Sequence, residues 1–180
     1  MVKLLRIISI HYGKHYFVRF SQKVGRFNLN LNDRLARGFI SGIVAGFAMN
    51  IVSLILYYVK FSNTRFLDWA AIAIYGHKPH SFGEALFAQI AQLVFVGVLG
   101  IILAYLIPLL TSRNYLLRGW IFGTTVWFSL YGLILLFKLQ GAIKIALMTA
   151  ISDFIGASVY GLVLAESLKW LDNRVNINKI

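Results

Sequence analysis

The chain has 180 residues, of which 59% are hydrophobic and 13% charged, with a mean hydropathy of +0.73. Soluble domains carry about 25% charged residues, so a water-facing skin cannot be built here, and the hydrophobicity equally excludes a disordered chain. An integral membrane protein remains. The absence of cysteine removes disulfides, iron–sulfur clusters and thiolate zinc sites, and the net charge of +12 is distributed in a way that points to a membrane surface.

Residues 1–36 form a basic aromatic arm, with seven Lys/Arg, no acid before Asp33, and Tyr12, Tyr16, Phe17, Phe20 and Phe27 threaded between the charges. Such a segment suits the anionic headgroups of the cytoplasmic leaflet, where each nearby basic residue contributes about 1 kcal/mol. RNA contact would use the same ingredients, but lipid is the expected partner of a segment tethered to a membrane, and no nucleic acid is expected. Leu4, Leu5, Ile7, Ile8 and Ile10 resemble the start of a signal peptide. Arg6 interrupts them and no small-residue cleavage site follows, so no cleavable signal is expected. From Phe27 to Asn32, apolar residues alternate with asparagine, which predicts a short extended stretch or turn.

Four apolar runs are long enough to cross a bilayer, which takes about 20 helical residues. The first is Gly38–Val59, uncharged over 22 residues. A long outer loop, Lys60–Glu84, follows, and its apolar segment Leu67–Tyr75, with Trp69 and Tyr75 near the ends, predicts a short interfacial helix. His77 and His80 come next, in His77-Lys78-Pro79-His80. Two histidines are half of a metal site. No third histidine or carboxylate cluster is close in sequence, although Asp68 and Glu84 flank the loop, so solvated loop histidines are the reading and no cofactor is expected.

The second run, Ala85–Ile107, is closed by Pro108, which fits a helix end better than its interior. The third is Gly119–Phe137. The fourth, Ile145–Ala165, carries one charge, Asp153, and residues 168–180 form a tail. Thirteen Lys/Arg fall in the arm and Arg37 just after it, the connection at Arg113 and Arg118, and the tail, against five (Lys60, Arg65, Lys78, Lys138 and Lys144) on the other side. Both termini are therefore expected in the cytoplasm.

The spans repeat. Shifting the second by 61 residues lays Ala88–Val94 on Thr149–Ile155 and Val98–Ala104 on Val159–Ala165; shifting the first by 81 lays Arg37–Gly42 on Arg118–Gly123. Two similar hairpins result, an arrangement known in transporters and open to any duplicated hairpin. Small residues stand four apart: Gly38, Gly42 and Gly46 in the first helix, Gly119 and Gly123 in the third, Ala157, Gly161 and Ala165 in the fourth. Such stripes let helix backbones approach where lipid supplies no hydrophobic drive. They are read as packing within the bundle, the sharper alternative being that the first stripe faces a second copy. With these stripes, and with Val159-Tyr160-Gly161-Leu162-Val163-Leu164, the chain resembles a loose group of small, uncharacterised four-helix bacterial membrane proteins. The resemblance covers roughly residues 37–167, omits the arm, and implies a cell-membrane architecture with no particular activity.

Asp153 is the residue that asks for an explanation, since an acid at mid-span costs about 2.5–3.5 kcal/mol on insertion scales. Counting 1.5 Å per residue from the outer helix ends, Asp153 lies about 12 Å deep, Gln92 about 10 Å, Asn50 about 14 Å and Tyr131 about 9 Å. Gln92 and Asp153 are counterparts in the repeat, as are Asn50 and Tyr131. No cation lies at that depth, so a neutral acid hydrogen-bonded to Gln92, Asn50 or the Tyr131 hydroxyl is expected. The four side chains are read as glue between helices, with Asp153 as a proton or cation site the alternative. Ser41 and Ser53 have no histidine at their depth to activate them, and chemistry using His77, His80, Asp68 and Glu84 has no specific signal. The sequence thus predicts an all-α polytopic membrane protein, non-enzymatic, acting by packing with itself, lipid or a membrane complex. A small transporter using Asp153 is the second reading, and an outer-face lipid-modifying enzyme the third.

Overall fold

The computed structural model describes residues 33–110, 114–137 and 145–177, all helices and their connections, with no strand among them. The basic arm lies outside these residues apart from its last four, as do Arg113, Lys138, Lys144 and Lys179 of the charge count. Five α-helices follow in order: α1 Arg34–Tyr58, α2 Phe66–Tyr75, α3 Phe82–Leu106 with a 3-10 turn Ile107–Leu109, α4 Tyr115–Leu136 and α5 Leu147–Ile177. Three of them are long and apolar enough to cross a membrane: α1, α3 through Leu109, and α5 over Leu147–Arg174.

Local chemistry sets the ends. The Asp33 carboxylate accepts the Leu35 amide at 3.0 Å and starts α1 four residues before the first apolar run, drawing Arg34 and Arg37 into the helix. Ser81 accepts the Glu84 amide at 3.2 Å and starts α3. These side-chain oxygens satisfy amides that a helix start leaves without partners. The interfacial segment is helical over Phe66–Tyr75 and stops at Gly76, whose φ of 80° is open to glycine. Helix α5 runs on to Ile177, through most of the expected tail. Leu164, Leu168 and Leu171, spaced four and three apart, keep one apolar face buried past the end of the apolar run.

Helix α1 packs along α3 and α5, α4 packs along α5, and α2 lies on α3. The order across the bundle is thus α3, α1, α5, α4. Met49, Val96, Leu103, Tyr160, Leu164 and Leu168 form its core. Gly38 lies on the backbone of Gly100 and Ile101, and Gly42 on Val96 and Gly97; a Cβ on Gly38 would stand 2.7 Å from the Ile101 Cα. Between α4 and α5, Gly119 lies on Gly161 and Ala165, and Gly123 on Ala157 and Gly161. Moving the first partner by 81 and the second by 61 turns Gly38–Gly100 into Gly119–Gly161 and Gly42–Val96 into Gly123–Ala157. Gly46 continues the α1 stripe onto Val96 and Leu93.

Opposite the α2 end, the buried Arg37 pairs through Nε with Asp172 Oδ1 at 2.8 Å, and the Tyr115 hydroxyl donates to Asp172 Oδ2 at 2.9 Å. Asp172 thereby ties α1, α4 and α5 together. Arg118, the repeat counterpart of Arg37, donates to the Ile107 carbonyl at 2.9 Å and closes the end of α3.

Candidate functional site

The four polar side chains sort into two pairs rather than one cluster. Asn50 Nδ2 donates to Gln92 Oε1 at 2.9 Å, joining α1 to α3. The Tyr131 hydroxyl donates to Asp153 Oδ2 at 2.8 Å, joining α4 to α5. Since Tyr131 is the counterpart of Asn50 and Asp153 of Gln92, the same bond is made twice, at equivalent positions of the two helix pairs. Of the three partners expected for Asp153, it meets the Tyr131 hydroxyl and not Gln92 or Asn50, because each polar side chain meets the helix its own stripe of small residues holds closest.

Each pair has a further donor. Gln89 Nε2 donates to Gln92 Oε1 at 2.8 Å, one turn along α3. On the other side, Trp69 Nε1 of α2 donates to Asp153 Oδ2 at 3.0 Å. Sequence reasoning placed Trp69 only near one end of the short interfacial helix; its indole donor was the available signal. The placement of α2 explains its reach. Ser53 Oγ accepts the Phe66 amide at 3.2 Å, and the Phe66 ring fills the space over Gly156 of α5. Asp68, 2% exposed, accepts the Arg65 backbone amide at 2.9 Å and its guanidinium at 2.8 Å. The Asp68 hydrogen bond, the largest cause, raises the Arg65 pKa against the opposing cost of burial. Asp68 is thus committed to starting α2.

Asp153 and Gln92 border a trough of about 490 Å³. Its floor is Met49 of α1 with Ala157 and Tyr160 of α5; Phe95 and Leu99 of α3 form one wall, Trp127, Leu130 and Ile134 of α4 the other, and α2 closes one end. Asp153 is 1% exposed and Gln92 7%, and Asp153 Oδ1, Gln92 Nε2 and Trp127 Nε1 are buried without a hydrogen-bond partner among the described residues. Buried polar atoms usually have partners, so three such atoms on residues lining one apolar space mark it as a place for a ligand. Aromatic rings crowd the acid: Trp127 stands 5.0 Å from Tyr131 and 5.3 Å from Phe154, and Trp69 6.1 Å from Tyr131, centre to centre. No cation pairs with Asp153 among the described residues. The site can hold an apolar body and offer it one acceptor, Asp153 Oδ1, and two donors, Gln92 Nε2 and Trp127 Nε1.

The glycine and alanine stripes lie outside the trough except for Gly123 and Ala157, which line it. His77 and His80 are remote from it, in the loop between α2 and α3. Their rings stack at 4.2 Å with 5° between planes, and Glu84 lies beside them.

Comparison with curated proteins and with solved structures gives no match. A family model does match, over residues 32–179, a stretch that begins inside the arm's last few residues and takes in every helix described above: the chain belongs to DUF6789, a family of unknown function.

Proposed function

We propose that the chain is a four-span membrane protein, with both termini in the cytoplasm and the basic arm on anionic headgroups, that acts without catalysis by seating a lipid acyl chain in the trough. The observation that carries this reading is the trough itself, about 490 Å³ with apolar walls and buried unpartnered polar atoms of Gln92, Trp127 and Asp153 on its lining residues. At about 30 Å³ per water-sized group, it takes on the order of sixteen methylenes, the size of a common fatty acyl chain. Lipid tails are as apolar as leucine, so a chain gains little by leaving the bilayer for the trough. Selection then rests on packing and on a head group that can donate to Asp153 and accept from Gln92.

The fourth span is α4, whose 22 residues rise about 33 Å against a hydrocarbon core of about 30 Å. The two-hairpin reading is supported by the glycine contacts and polar bonds that recur under the shifts of 81 and 61. Cytoplasmic termini are supported by the thirteen-to-five distribution of Lys/Arg. Lipid is favoured over a second copy because α3 already covers the stripe of α1.

The test is native mass spectrometry of protein extracted in mild detergent, with Ala73→Trp and Ala91→Phe narrowing the trough. One retained lipid in the wild type and none in the variants is the expected result; a wild type that carries none overturns the reading. Because the chain has no cysteine, single introduced cysteines at Lys60 and Lys169 report the orientation by membrane-impermeant labelling.

The unpartnered Asp153 Oδ1 favours a second reading, a proton or cation site. Proton flux into liposomes that occurs with the wild type and stops with Asp153→Asn would establish it. Absence of flux from both would retire it.

A further inference from the structure

We propose that His77, His80 and Glu84 bind one divalent transition-metal ion of the zinc type at the loop that joins α2 to α3. The sequence offers only two of these ligands together; folding supplies the third. Gly76 ends α2 and Ser81 starts α3, so residues 77–80 are held between two fixed helix ends, with Pro79 limiting the backbone between the histidines. Glu84 sits in the first turn of α3, where its carboxylate meets the His80 amide of the loop. One ligand atom from each of the three side chains lies within 4.8 Å of the others.

Orientation is already provided for two of the ligands. His77 Nδ1 faces the Lys78 carbonyl at 2.8 Å. A carbonyl only accepts, so that nitrogen carries the proton and Nε2 is left with its lone pair outward. A ring N–H given to a backbone carbonyl is the usual outer support of a metal-binding histidine. Glu84 Oε2 accepts the His80 amide at 2.8 Å, which fixes the carboxylate plane and leaves Oε1 to bind. Lys78 is turned away, its ammonium donating to the Asn63 carbonyl at 2.7 Å. Helix capping accounts for the Glu84 backbone contacts but not for two imidazoles stacked face to face beside the carboxylate.

Two neutral imidazoles and one carboxylate are a borderline-soft set suited to zinc, and three protein ligands leave a fourth position to water. With bonds of about 2.0–2.1 Å, tetrahedral ligand atoms stand roughly 3.3 Å apart. Binding therefore draws the three atoms together from within 4.8 Å by side-chain rotation, and unstacks the rings. The site lies apart from the trough and stands independently of the lipid reading.

The test is calorimetric titration of the full, untagged chain in detergent with zinc, and absorption of the cobalt form. One equivalent bound, with the visible bands of tetrahedral cobalt, is the expected result. His77→Ala, His80→Ala and Glu84→Gln should each weaken binding by at least about tenfold. His80→Ala removes an exposed side chain, and helix content by circular dichroism shows whether each variant is folded. The other two histidines, His11 and His15, are replaced together as a control that should leave binding unchanged. No binding by the wild type, or equal affinity in folded His77→Ala and His80→Ala, overturns the proposal.

Discussion

Tyr131 and Asp153 join α4 to α5 through a 2.8 Å hydrogen bond at the position where Asn50 and Gln92 join α1 to α3. The second donor to Asp153 comes from Trp69, on the same oxygen. Tyr131→Phe and Trp69→Phe are each expected to lower stability by about 0.6 kcal/mol, the mean for hydrogen bonds between membrane helices. The double variant should depart from the sum, since both donors share one acceptor. Unfolding in mixed dodecylsulfate and mild detergent measures all three.

The glycine contacts predict a sharper effect. Gly100→Val and Gly161→Val place a β-branched side chain against the facing backbone of α1 or α4, and each should cost about 1–3 kcal/mol by overpacking. Gly132 is the counter-case, because a Cβ there meets nothing within 4 Å. Gly132→Ala should stabilise by about 0.5–1 kcal/mol through backbone entropy. The same unfolding assay compares them.

Tyr115 should matter to the end held by Asp172, because its hydroxyl donates to Asp172 Oδ2 at 2.9 Å and links α4 to α5. Tyr115→Phe removes that bond and is expected to cost about 0.6 kcal/mol in the same unfolding assay.

Asp68 holds α2 through three hydrogen bonds from Arg65. Asp68→Ala should cost about 2 kcal/mol, since it strips a partly buried guanidinium of its acceptor. Hydrogen exchange should quicken through Phe66–Tyr75 while α5 amides keep their protection.

Much of this arrangement is legible before folding. The shifts of 61 and 81 match Gly100 to Gly161 and Gly38 to Gly119, and in the structure Gly38 meets Gly100 as Gly119 meets Gly161. Depth counting places Asn50, Gln92, Tyr131 and Asp153 at one level because rise per residue is fixed. It cannot assign partners, because those depend on helix rotation and on which neighbour is nearest. Trp69 stays hidden for a related reason: its bond to Asp153 spans 84 positions and needs α2 seated by Ser53 and Phe66. Glu84 is legible as a helix cap but not as a neighbour of His77, since the loop geometry that joins them lies in Gly76 and Pro79. The helical end of α5 was masked by its charges, Glu166, Lys169, Asp172 and Arg174, which alternate with a buried leucine face.

Of the chain's four tryptophans, Trp69 and Trp127 line the trough, while Trp120 donates to Ser158 and Trp170 lies under the Arg174 guanidinium. The molecule therefore carries its own optical gauge. A brominated acyl chain seated between α3 and α4 would lie against the first two indoles and darken their emission, while the other two would report only the bilayer around the bundle.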